Sequence, residues 1–386
     1  MTRLSTLLLL ALFNIGAQAA SMIPSPPQID AVAWLLVDAD SGAVLAEHNA
    51  DVPLPPASLT KMMTSYILAR EISEGQLSED DMVVVSETAW SQNPVFTGSS
   101  LMWIEPGMRV SIADLQRGII VSSGNDATVA VAEHIAGSED VFAEMMNATA
   151  DRLGMRDTHY VNSHGLPHPE HVTTARDLAI LARAMIRDFP EQYALYKEEK
   201  FTFNNITQYN RNKLMYEDPS VDGLKTGHTE AAGYCLVASA EREGMRLVSV
   251  VLGADSERAR KNQTRSLLNY GFRFFETSTV FEPMTELARP RIWKGEQDHL
   301  PAGFTEEVVL TLPRGQREEL VTDVQLAGQL VAPVAAGDRV GTVVLSLAGE
   351  TVYEAPLVAL TAVEPGGFFA RLWDIVLMWL ADLFSA

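Results

Sequence analysis

The chain has 386 residues with 50 Asp and Glu against 29 Lys and Arg, a formal net charge of −21, which excludes a nucleic-acid binder that works by releasing phosphate counterions. A hydrophobic fraction of 47% with 20% charged residues supplies apolar surface for about two domains of roughly 150 residues each and excludes global disorder or a collagen-like chain. Its single cysteine, Cys235, excludes an intramolecular disulfide and any cysteine-based zinc or iron–sulfur site.

Arg3, an apolar run over 7–13 and the small-x-small string Ala17-Gln18-Ala19 form the pattern of a secretory leader over residues 1–20. The run is shorter than the ~20 residues that cross a bilayer, so the mature protein is expected to be exported. After Pro24, Pro26 and Pro27, apolar residues 31–37, the turn Asp40-Ser41-Gly42 and residues 43–46 predict a hairpin. The apolar period becomes helical over 59–72, 112–121, 127–135, 141–153 and 175–186, and residues 234–240 and 246–252 return as a strand pair. That order predicts an α/β catalytic domain over 27–277, a mostly antiparallel sheet flanked by helices. Short alternating runs at 307–312, 321–326, 339–347 and 351–357 predict a small all-β domain over 278–363. Residues 366–386 are rich in large apolar side chains, with Arg371, Asp374, Asp382 and Ser385 forming a narrow polar stripe at helical spacing. The segment reads as an amphipathic helix lying in a membrane interface. Packing on a domain or a dimer partner is the alternative, because anionic lipids attract Lys or Arg rather than these acids.

Three short motifs carry chemistry. Ser58-Leu59-Thr60-Lys61 opens the first helix, where residues i and i+3 share a face and bring the lysine amine to the serine hydroxyl. A lysine whose pKa is lowered by burial and neighbouring cations can take the serine proton, and helix-start N–H groups can hold an oxyanion. Ser123-Gly124-Asn125 lies between an apolar segment and a helix, and an N-cap with a glycine turn explains it equally well. The tripeptide pattern is cheap, since Ser91-Gln92-Asn93 repeats it. Lys225-Thr226-Gly227 precedes the strand pair and supplies a cation, a hydroxyl and room for close backbone approach, or else a plain surface turn.

Singly these motifs are weak. In this order, in an exported chain, they match the set carried by class A β-lactamases and penicillin-binding proteins. The sequence closely resembles the low-molecular-weight penicillin-binding proteins that act as D-alanyl-D-alanine carboxypeptidases. The likeness extends over 56–66, 93–107, 123–127, His164-Gly165-Leu166, 221–228 and 246–277, and the β domain and terminal helix match the family layout. The resemblance implies a transpeptidase-like fold and removal of the terminal D-Ala from peptidoglycan stem peptides, without metal or cofactor. On this resemblance Ser58 is expected to attack the penultimate D-Ala carbonyl, with Lys61 taking its proton, Ser123 relaying a proton to the leaving nitrogen, and Asn125 holding the substrate amide and Lys61. Lys225 supplies positive potential, Thr226 and Arg260 bind the terminal carboxylate, and the oxyanion lies between the N–H groups of Ser58 and His228, beside Gly227. β-Lactams trap Ser58. The family further implies a periplasmic enzyme on the outer face of the inner membrane; homodimerisation is left open.

Cys235 reads as a buried small hydrophobe rather than a reactive thiol. His159, His164, His168 and His171 match no metal motif; His164 belongs to the resemblance and the other three read as exposed loop residues. A β-lactamase, a D,D-endopeptidase and a catalytically silent peptidoglycan-binding scaffold are the rival functions. The first requires a Glu-x-x-Leu-Asn string, which Glu170 lacks around it, and the intact motif set argues against the last.

Overall fold

The computed structural model describes residues 23–385, with the backbone alone over 381–385. The leader expected at 1–20 lies outside the described residues, as do the side chains of Asp382 and Ser385.

The hairpin β1 (Ala33–Asp38) and β2 (Val44–His48) joins β3 (Val221–Thr229), β4 (Gly233–Arg242) and β5 (Met245–Ala254) in one sheet of order β2-β1-β5-β4-β3. Every neighbouring pair in it is antiparallel, as the segment order predicts. Lys225-Thr226-Gly227 is therefore the interior of an edge strand, not a turn ahead of the strand pair. Its lysine and glycine depress strand propensity; Thr226 lines the cleft described below, and Lys225 is buried beneath it.

Alternate strand residues feed two cores. Leu35 and Val37 pack with the helices α1 (Lys61–Ser73), α2 (Ile112–Arg117), α3 (Asn125–Ala136), α4 (Glu139–Leu153) and α5 (Ala175–Asp188), whereas Trp34 and Leu36 pack on the other face. With both faces covered, the strands read as apolar runs rather than alternations. Each fully buried Leu or Val there contributes about 1.5–3 kcal/mol. The second face is closed by α6 (Glu257–Phe274) through Leu267 and Leu268. Periodicity does not predict α6, since its first half is charged; the Ser256 hydroxyl starts it by accepting the Ala259 N–H at 3.1 Å. The helix predicted over 112–121 is instead broken after Arg117, where the chain passes through a π-helical turn, Gly118–Ser122, and ends with Ser123 left-handed at φ +58°.

Strand β6 (Phe275–Phe281) leads into a β-rich unit with its own core. Its main sheet contains β7 (Thr285–Ala288), β8 (Ala302–Phe304), β10 (Val321–Leu326), β11 (Arg339–Leu347) and β12 (Glu350–Ala359), while β6 pairs with β9 (Val308–Pro313). Polar contacts join this unit to the catalytic sheet: Thr277 Oγ1 donates to Asp38 Oδ2 at 2.6 Å, and the Ser41 and Thr311 hydroxyls meet at 2.6 Å. The terminal helix α7 (Phe368–Ser385) follows. No described helix is long and apolar enough to cross a membrane.

Candidate active site

Ser58 lies in a single 3-10 turn, Ala57–Thr60, that runs into α1. The residue before it, Ala57, is left-handed at φ +49°, a conformation that costs a residue with a Cβ of order 1–3 kcal/mol and collects at functional sites. One turn on, Lys61 Nζ lies 3.3 Å from Ser58 Oγ and donates to Asn125 Oδ1 and the His164 carbonyl, each at 2.6 Å. Its ammonium is fully buried, and burial together with the nearby Arg211 charge brings its pKa down to about 7. A group so poised is present in part as the neutral amine at neutral pH and can accept the serine proton.

The left-handed end of the π-helical turn delivers Ser123, whose hydroxyl accepts a hydrogen bond from Lys225 Nζ at 2.9 Å. Burial, then the positive charges of Lys61, Arg211 and Arg260, hold Lys225 well below the ordinary lysine range. Asn125 begins α3 and donates from Nδ2 to Ser99 Oγ at 2.9 Å. At Gly227 a Cβ would stand 3.0 Å from the Pro56 carbonyl oxygen and 3.3 Å from Ala57 Cβ. Glycine is what lets β3 lie against the turn that carries Ser58.

Seven of the nine predicted site residues line one cleft of about 450 Å³, and the other two, Lys61 and Lys225, are buried beneath it. Arg260 comes from α6, with Nη1 donating to the Gly227 and Cys235 carbonyls at 3.1 and 3.4 Å. The His228 ring is exposed and lies over Tyr234, with centroids 4.1 Å apart. Although the chain is strongly acidic, Arg211, Lys213 and Arg260 line the cleft against a single carboxylate, Glu257, a local field suited to an anionic ligand.

Sequence reasoning missed three contributors. Arg211 sits in an irregular loop between two asparagines and carries no motif. Asp126 is buried and accepts the backbone N–H groups of Met102, Trp103, Ile104 and Ala127 at 2.8, 2.8, 3.3 and 2.9 Å, fixing the segment that supplies Ser99 and Ser100 to the cleft wall. Its place directly after Asn125 was the available signal. The third corrects an expectation: His171 is buried rather than exposed, bonded to Thr60 and Val161. Cys235 is buried as expected, and burial pushes its thiol up to about 11. Among the described residues no group of three or more His, Cys, Asp or Glu side chains is placed to hold a metal.

Residues 20–256 match the family described as D-alanyl-D-alanine carboxypeptidase, and residues 275–365 match the penicillin-binding protein 5 C-terminal domain. The chain is 46% identical over 383 residues to the D-alanyl-D-alanine carboxypeptidase DacC of Escherichia coli K12, covering 97% of this chain and 96% of that one. It is also similar to the crystal structure of penicillin-binding protein 5 from Haemophilus influenzae, with a TM-score of 0.86 and 42% identity over 88% of this chain and 99% of that one. A more distant neighbour, penicillin-binding protein D2 of Listeria monocytogenes in its ampicillin-bound form, gives a TM-score of 0.57 and 30% identity over 64% and 100% of the two chains. With its catalytic region and its β-rich region both matched, the chain belongs to the D-alanyl-D-alanine carboxypeptidase family of penicillin-binding proteins.

Proposed function

We propose that the protein is a serine-type carboxypeptidase that removes the terminal D-Ala from peptidoglycan stem peptides through an acyl-enzyme on Ser58. The observation that carries this reading is the buried Lys61 amine, 3.3 Å from the Ser58 hydroxyl. Neutral Lys61 takes the Ser58 proton as Oγ adds to the penultimate carbonyl, whose oxyanion the N–H groups of Ser58 and His228 receive. The Ser123–Lys225 pair returns a proton to the departing D-Ala nitrogen. Arg260 and Thr226, with Lys225 behind them, bind the terminal carboxylate, and water then hydrolyses the ester. β-Lactams acylate the same serine. Incubation of the protein with a pentapeptide ending in D-Ala-D-Ala is expected to release D-Ala, and penicillin to leave a mass adduct on Ser58. Ser58→Ala should abolish both, and penicillin hydrolysis without peptide cleavage would replace this reading with a β-lactamase.

Residues 1–20 serve on this reading as the leader to the periplasm, 27–277 as the catalytic unit, 278–363 as a β-rich spacer and 366–386 as an anchor on the outer face of the inner membrane. Support for the anchor comes from α7. Asp374 of its polar stripe accepts Arg291 Nη2 at 3.2 Å and the Lys294 N–H at 2.5 Å, so that acid is used against the β-rich unit. Phe369, Trp373 and Trp379 are left more than half exposed, as an interfacial helix requires. The intact protein is expected to float with phospholipid vesicles and a chain ending at residue 365 to stay in solution; equal flotation of the two would remove the anchor assignment.

A further inference from the structure

The segment that returns from α4 to α5 grips the nucleophile turn at several points. Leu54 and Thr173 exchange backbone hydrogen bonds of 2.8 and 2.9 Å, Thr64 Oγ1 donates to the Ser163 carbonyl at 2.7 Å, and the His164 carbonyl holds Lys61. Within this grip the His171 side chain reaches the turn itself, Nε2 lying 2.8 Å from Thr60 Oγ1. Thr60 directly precedes Lys61 and follows Ser58 by two residues, so a rotation of the turn moves both reacting atoms.

The protonation state of His171 follows from its neighbours. The Val161 N–H donates to Nδ1 at 3.0 Å, so that nitrogen carries a lone pair, and the hydrogen must sit on Nε2 and be donated to Thr60. The ring is 2% exposed, with Tyr160 edge-on at 5.7 Å. Burial, with the nearby His159, His168 and Lys61, brings its pKa down to about 4, consistent with a neutral donor.

From this geometry we infer that His171 is a positioning residue for acylation: its Nε2–H holds the Thr60 hydroxyl and thereby sets the Ser58–Lys61 approach. The inference rests on the serine acyl-enzyme reading above. Displacements of about 1 Å at reacting atoms cost roughly a hundredfold in rate.

Two substitutions separate this role from a purely architectural one. In His171→Asn the amide oxygen can replace Nδ1 and keep the Val161 contact while the donor to Thr60 is lost. In His171→Gln the amide nitrogen can replace Nε2 and keep the Thr60 contact while the acceptor for Val161 is lost. With a fluorescent penicillin as probe, and thermal melting as the check on folding, the acylation rate constant is expected to fall about 10–100-fold in His171→Asn, with little change in the noncovalent dissociation constant. It should fall by less than about fivefold in His171→Gln. Thr60→Val should copy His171→Asn and Thr60→Ser should restore the rate, which keeps the test available if a histidine variant does not fold. A folded His171→Asn or Thr60→Val protein that acylates like the wild type overturns the inference, as does a greater loss in His171→Gln than in His171→Asn. A wild-type protein that takes no penicillin overturns the acyl-enzyme reading instead.

Discussion

Replacing Lys61 by methionine is expected to slow acylation of Ser58 by about 10³-fold, within the range that a positioned general base contributes. Methionine keeps most of the aliphatic stem and removes the amine, so the buried Asn125 Oδ1 and His164 carbonyl lose their donor. That leaves a stability loss of about 1–3 kcal/mol per orphaned group, readable as a lower melting temperature. Penicillin acylation measured on the folded fraction separates the two effects. The wild-type acylation rate should rise with pH through about 7, because only the neutral amine accepts a proton and burial with Arg211 places its pKa there. Arg211→Gln removes the cation that disfavours protonated Lys61, so its pKa rises and the ascending limb moves to higher pH. A limb that survives intact in Lys61→Met would assign the base elsewhere, with Lys225 acting through Ser123 the next candidate.

Gly165→Ala is expected to cost about 2–4 kcal/mol and to lower acylation by at least about 100-fold. Gly165 is left-handed at φ +90°, and a Cβ there would run into the Ala57 carbonyl and stand 2.8 Å from Thr60 Oγ1. The collision falls on the turn that carries the nucleophile. Gly154 is the control: it is also left-handed, φ +83°, with nothing within 4 Å of an added Cβ. Gly154→Ala should cost roughly 1 kcal/mol from backbone conformation alone and leave acylation unchanged. Thermal melts alongside penicillin labelling read both quantities, and equal acylation by the two variants would show that the turn tolerates displacement.

The parts of the site that were legible in the sequence are those in which one residue type at one spacing performs one task. Ser58 and Lys61 meet because a helical turn places i and i+3 together, and their separation needs no tertiary information. The contact of Ser123 with Lys225 spans 102 residues and became visible only through the order of the motifs and the family likeness. Arg211, Asp126 and His171 stayed hidden for a different reason. Their roles depend on what folds against them: an irregular loop, a run of backbone N–H groups and a turn more than a hundred residues away. His171 in particular sits among prolines and other histidines in a stretch that looks solvated, yet it is buried between the Thr60 hydroxyl and the Val161 N–H. The same contrast holds for the fold. Strands β4 and β5 announce themselves as apolar runs, whereas β3 is concealed by the Lys225 and Gly227 it carries, and α6 by a charged first half that supplies Arg260.

The seam between the catalytic sheet and the β-rich unit lies at the Asp38–Gly42 turn after β1, while the reactive strand β3 forms the opposite border of that sheet, three strands away, or roughly 14 Å at the usual strand spacing. The seam is made of hydrogen bonds among Asp38, Ser41, Thr277 and Thr311 beside a cavity of about 560 Å³ whose lining includes Asp40, Arg183, Thr277 and Glu307. The β-rich unit therefore meets the catalytic sheet at β1 and through the chain continuity of α6 with β6, away from the Ser58 turn at the β3 border. On the anchor reading proposed above, the C-terminal end can be held at a surface while the cleft, at the opposite border of the sheet, stays open to a polymeric substrate.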